Sequence, residues 1–204
     1  MFDKEMSAAV DTAQKRLMNT TGKDSVLMSV ASDLKELCTL TSKLDPSNIN
    51  LDKGGLEKIK AIGYWNRFEK YYPDVKVLFD RLVRSRKILF NSKTTINRFY
   101  QEFEEAYNNF RSVPENEQDG DYVQQAIISA NVYQLLKNSV SEHETVYTHL
   151  DKVLNVLETS LDMAIYLARK NAGFDLGSCT SATLGNISNS DYQMQFSRLN
   201  SLLK

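Results

Sequence analysis

The chain is poor both in the residues that punctuate a fold and in those that carry out chemistry. Its 204 residues include two His, two Cys, three Pro and eight Gly. Two cysteines, Cys38 and Cys179, are too few for a disulfide framework, and a core of this size needs none. Cys38 lies in an apolar helical pattern, where a buried structural thiol is expected rather than a nucleophile. His143 and His149 stand six positions apart, so they do not share a helix face as the i, i+4 pair of a zinc motif does. Tyr147 occupies the place of the second histidine in His-Glu-x-x-His. Val140 and Val146 precede the two histidines by three, which excludes the usual Glu-x-x-His di-iron pattern of helical bundles. Gly22-Lys23-Asp24-Ser25 has the Gly-Lys pair of a phosphate loop but neither its upstream glycine nor a preceding strand. No catalytic residue, cofactor or metal site is expected.

Charge of one sign is also lacking. Twenty-five Lys and Arg face 26 Asp and Glu, for a net charge of -1, which removes any whole-chain case for nucleic acid. Apolar residues at 42% and charged residues at 25% are ordinary for a globular protein. The N-terminus has no basic stretch followed by an apolar one, and no run approaches the roughly 20 apolar residues of a spanning helix. The Asn-x-Ser/Thr triplets at Asn19 and Asn186 are read as chance, and a cytoplasmic location is expected.

Three long intervals contain neither Gly nor Pro: 23–45, 74–113 and 121–172. Strands would need turn residues every 8–12 positions or so, and helices do not. In the second interval Val75, Phe79, Leu82, Leu89, Ile96, Tyr100, Phe103, Tyr107 and Phe110 alternate by four and three, with Arg86 and Lys93 filling the gaps. In the third the series runs from Ala126 through Ser129, Tyr133, Leu136, Val140, His143, Tyr147 and Leu150 to Ala168. Such spacing specifies a seam along one side of a long helix, as in a coiled coil. Helices of this length would reach roughly 60 and 75 Å. Leu27, Val30, Leu34, Leu37, Thr41 and Leu44 repeat the pattern in miniature, and Met6, Val10, Ala13 and Leu17 follow Phe2 on an amphipathic N-terminal helix.

The expected fold is all-α: an elongated bundle built on a long antiparallel coiled-coil-like hairpin, with shorter N-terminal helices and a short C-terminal one. Helices are placed at about 3–19, 24–44, 56–72, 74–112 and 122–172, forming one domain over 1–172. Pro73-Asp74 is read as a helix start, Asp121/Gln124 and Ser190/Gln193 as capping boxes, and Gly22 and Gly173 as C-terminal caps. The polar turn at 113–120 pairs positions whose numbers sum to about 234. A polar linker, 173–189, then leads to an amphipathic helix in 190–204 that presents Tyr192, Phe196, Leu199 and Leu203. This helix either docks back on the bundle or inserts into a partner's groove.

Function has three readings. The first is a non-enzymatic interaction module (scaffold, assembly component, adaptor or chaperone) that binds a protein partner through helix–helix contacts, the C-terminal helix being the candidate docking element. The second rests on a basic stretch with no acidic residue from Arg81 to Gln101, in which Arg81, Arg84, Lys87 and Arg98 form a candidate patch for an anionic membrane. With an amphipathic N-terminal helix, this arrangement resembles that of crescent-shaped BAR-like dimers, a likeness of architecture and not of residues. A helical enzyme is third. Arg86, Lys93 and His143 interrupt the seams and are candidates to fix the pairing of the hairpin or of two subunits in a homodimer. Replacing all three by leucine is expected to raise stability and blur assembly.

Overall fold

The computed structural model of the chain describes residues 2–21, 25–49, 56–114, 120–173 and 187–204. Among these are five helices and no strand: α1 (Phe2–Thr21), α2 (Val26–Lys43), α3 (Leu56–Arg111), α4 (Gly120–Ala172) and α5 (Asn189–Leu202). The all-α expectation holds, and α3 and α4 pack on each other as the arms of a hairpin. The residues group into two compact units. One comprises Met1–Ser29 and Ser85–Thr148, the other Val30–Arg84 and His149–Lys204.

In the first unit α1 packs on parts of α3 and α4. Met6, Val10, Ala13 and Leu17 meet Ile96, Phe103 and Phe110 of α3 and Val132 and Leu136 of α4. The seam of α3 resolves into two rows. Leu89, Ile96, Phe103 and Phe110, seven apart, are buried, while Arg86, Lys93, Tyr100 and Tyr107 are only half-buried. Each buried Leu, Ile or Phe contributes roughly 1.5–3 kcal/mol. Ring contacts confirm the register: Phe110–Tyr122 (4.6 Å), Tyr100–Tyr133 (5.5 Å) and Phe90–Tyr147 (5.8 Å) join positions summing to 232–237.

In the second unit α2 buries Val30 and Leu37, with Leu44 buried just past its end, while Leu34 of the expected seam and Cys38, which lies off it, are half-buried. Free Cys38 is thus less enclosed than its pattern suggests. Here α4 buries Val153, Val156, Ile165 and Leu167 besides its seam positions Leu150, Leu154, Leu157 and Leu161. The wider stripe reflects cover on more than one side.

Several boundaries differ from the sequence reading. The helices placed at 56–72 and 74–112 are one helix, with Pro73 inside it. Pro73 lacks the N–H that would bond the carbonyl of Glu69. It is solvent-exposed, and Phe68 and Val75, both buried on either side of it, hold the helix through the defect. The cap of α5 is Ser188 with Asp191, not Ser190 with Gln193: Asp191 N–H donates to Ser188 Oγ, and the Asp191 carboxylate accepts from the Ser188 N–H. Asp121 lies within the first turn of α4 rather than before it. Of the expected linker, Ile187 and Asn189 are buried, and Asn171 Nδ2 donates to Asn189 Oδ1 at 3.3 Å. Gly173 does end α4 as expected, at φ 72° with its N–H on the Arg169 carbonyl. Gly22, Cys179 and the Phe2 side chain lie outside the described residues.

Candidate functional site

The C-terminal helix is not a free docking element. Tyr192, Phe196 and Leu199 are buried in the second unit and Leu203 is half-buried. Tyr64 Oη donates to the Leu44 carbonyl at 3.0 Å, which leaves Tyr192 Oη to donate to Tyr64 Oη. Burial pushes both hydroxyls well above the ordinary tyrosine value of 10.0. Trp65 stacks on Tyr192 at 6.3 Å. Gln193, expected in a cap, instead donates to the carbonyls of Pro46 (2.9 Å) and Ile49 (2.8 Å). The apolar face of α5 packs back on its own unit because Tyr64 and Trp65 offer a matching aromatic surface.

Of the basic stretch, Arg81 and Arg98 are engaged in ion pairs. Arg81 bridges Asp33 (3.1 Å) and Glu36 (2.8 Å) of α2. Burial holds the Asp33 carboxyl above its ordinary value, despite the opposing pull of Arg81. Arg84 Nε donates to the Asp80 carbonyl at 3.3 Å, and Arg98 lies 3.6 Å from Glu102. Lys87 is exposed.

The three seam residues separate by burial. Arg86 and Lys93 occupy the half-buried row of α3. Lys93 runs over the Tyr147 ring, 4.7 Å from its centroid, to Glu144 Oε2 at 2.8 Å. His143 occupies the buried row of α4 and is fully enclosed. Its Nδ1 lies 2.8 Å from the Ser139 carbonyl, which only accepts, so in the neutral ring Nδ1 carries the proton. Nε2 then accepts from Ser92 Oγ at 3.1 Å. A Ser–His pair suggests a nucleophile, but Ser92 lies mid-helix, where the neighbouring N–H groups are engaged in the helix ladder and cannot hold an oxyanion. Ser92, fifty-one positions from its partner, carries no signal in the sequence.

Among the described residues, grooves flank α1 on two sides in the first unit. In the one against α3 the charged groups are already engaged: Arg16 pairs with Glu102 at 3.3 Å and covers Phe99 at 3.6 Å. The one against α4, about 490 Å³, is lined by Gln14, Leu17, Met18, Leu135, Asn138, Ser139 and Glu142. Met18 and Leu135 are exposed at its rim, by 75% and 55%. Ser139 Oγ is buried against it with no hydrogen-bond partner, and Glu142 makes no ion pair among the described residues. Sequence reasoning reaches Leu17 on the apolar face of α1 but passes over Met18, Leu135 and Ser139, which lie off the apolar faces it follows. The one available signal is the off-seam apolar set Val123, Ile127 and Leu135. Among the described residues no three His, Cys, Asp or Glu side chains converge as for a metal, and no helix is long and apolar enough to cross a membrane.

The fold and this groove define an all-α helical bundle with an exposed, partly apolar groove between two of its helices. No family model, curated protein or solved structure matches the chain.

Proposed function

We infer that this protein is a non-enzymatic helical interaction module that binds a protein partner through helix–helix contacts. The observation that carries this reading is the exposed apolar stripe of α4, where Val123, Ile127 and Leu135 are 56%, 61% and 55% exposed. By the helix's 100° per residue they fall within roughly 120° of one another, on the side that continues into the α1–α4 groove. Apolar side chains gathered along one helix face are the usual sign of a surface that a second helix covers. The anionic-membrane reading has weaker support, since Arg81 and Arg98 are already paired with carboxylates.

A photo-crosslinking residue in place of Ile127 tests this in the cells that make the protein. The expected result is an adduct with a protein of discrete mass that disappears when Leu135 is changed to Asp. Adducts only with lipid, or none of discrete mass, would overturn the reading.

A further inference from the structure

We propose that the α1–α4 groove receives an amphipathic helix of a partner protein that brings a Lys or Arg to Glu142. This rests on the interaction-module reading and specifies its partner. Three features define the occupant. The first is length: the groove lining on α4 runs from Leu135 to Glu142 and, with the exposed stripe that begins at Val123, spans about 28 Å at 1.5 Å per residue, several turns of a helix and more than a small ligand covers. The second is polarity. Ser139 lines the groove, is only 4% exposed, and its enclosed Oγ has no partner, which leaves this stretch of the wall polar and short of a hydrogen bond. The third is charge. Glu142 follows Ser139 by three residues, one turn along the same face, and its carboxylate is exposed and unpaired among the described residues. Glu144, two residues on, already holds Lys93. A cation on the incoming helix completes the groove, whereas an acidic residue there would meet Glu142 directly.

Selection of a displayed library of amphipathic helices, with the polar face randomised, against the full chain tests this. The expected winners share a Lys or Arg at one constant position and lose binding to Leu135→Asp or Met18→Asp. Against Glu142→Lys they weaken by at least about fivefold, and a new selection on that variant enriches Asp or Glu at the same position. Leu135, Met18 and Glu142 are exposed, so the variants should keep the parent's thermal melt and far-ultraviolet dichroism, which are measured alongside. Winners indifferent to Leu135→Asp and Met18→Asp would overturn the groove while leaving the interaction module standing. Winners sensitive to Leu135→Asp but carrying no constant basic position would overturn the cationic partner. A chain that dimerises through this face, reverting to monomer mass in Leu135→Asp, would replace the partner with a second copy and overturn the proposal. No enrichment at all would count against both readings.

Discussion

His143 and Lys93 both interrupt an apolar seam, yet they stand in different surroundings. Lys93 belongs to a half-buried row and carries its ammonium to Glu144, so Lys93→Leu should change stability by no more than about 1 kcal/mol. His143 is fully enclosed and completes a hydrogen-bond chain from Ser92 to the Ser139 carbonyl. His143→Ala removes that chain and leaves a void, and should cost about 1–3 kcal/mol in urea melts followed by circular dichroism. The uniform gain expected from changing all three seam residues to leucine should therefore not appear, because His143 is satisfied where it stands.

Acid and alkali act on separate residues. Hydrogen bonds from Tyr133 and Tyr100 hold Glu104 below its ordinary 4.5, and those from Ser188 hold Asp191 below 3.8. Their stabilisation is present above those values and is lost as pH falls through the lower folded ones. Asp33 has the opposite sign, since its raised value lets the folded state take up the proton first. Glu104→Gln with Asp191→Asn should flatten the acid limb of a pH–stability curve. Tyr64 and Tyr192 keep their protons above 10.0, where unfolded tyrosines lose them, so their stabilisation falls away as pH rises beyond that value. Trp65, the one tryptophan of the chain, stacks on Tyr192 and reports the transition; Tyr64→Phe with Tyr192→Phe should make it shallower.

At the scale of the element, the defects and caps are separable. Pro73→Ala restores the missing bond to Glu69 at an exposed position, and thermal melts should show a gain of about 2 kcal/mol. Ser188→Ala removes one half of the α5 box and should cost about 1 kcal/mol. At Gly173 an added Cβ meets nothing within 4 Å, so the cost of Gly173→Ala is conformational, about 1–2 kcal/mol for forcing a side chain to φ 72°. Of these features only Gly173 was legible, since a glycine after a long periodic segment has few other readings. Ser188 was not, because Ser190 two residues on offers the same spacing to Gln193, and only the distant carbonyls of Pro46 and Ile49 decide where Gln193 goes.

For the whole molecule, each unit's core is assembled from segments far apart in the chain. The first depends on α1, which supplies Met6, Val10, Ala13 and Leu17 to the core shared with Ile96, Phe103 and Leu136. Removing residues 1–21 should strip hydrogen-exchange protection from the backbone around Phe103 and Leu136; unchanged protection there would mean that α3 and α4 hold this core without α1.

What the sequence determined by itself is the helical class and the register of the hairpin. Two glycine- and proline-free intervals with sustained apolar alternation admit only helices, and a short turn leaves one way to pair them, as the Phe110–Tyr122 and Phe90–Tyr147 contacts show. Tertiary structure alone decided which row of the seam is sealed, that Ser92 serves His143, that Tyr192 meets Tyr64 across 128 positions, and that the open face lies between α1 and α4. The physical reason is that periodicity records which side of a helix is apolar, whereas burial and hydrogen bonding depend on what covers that side.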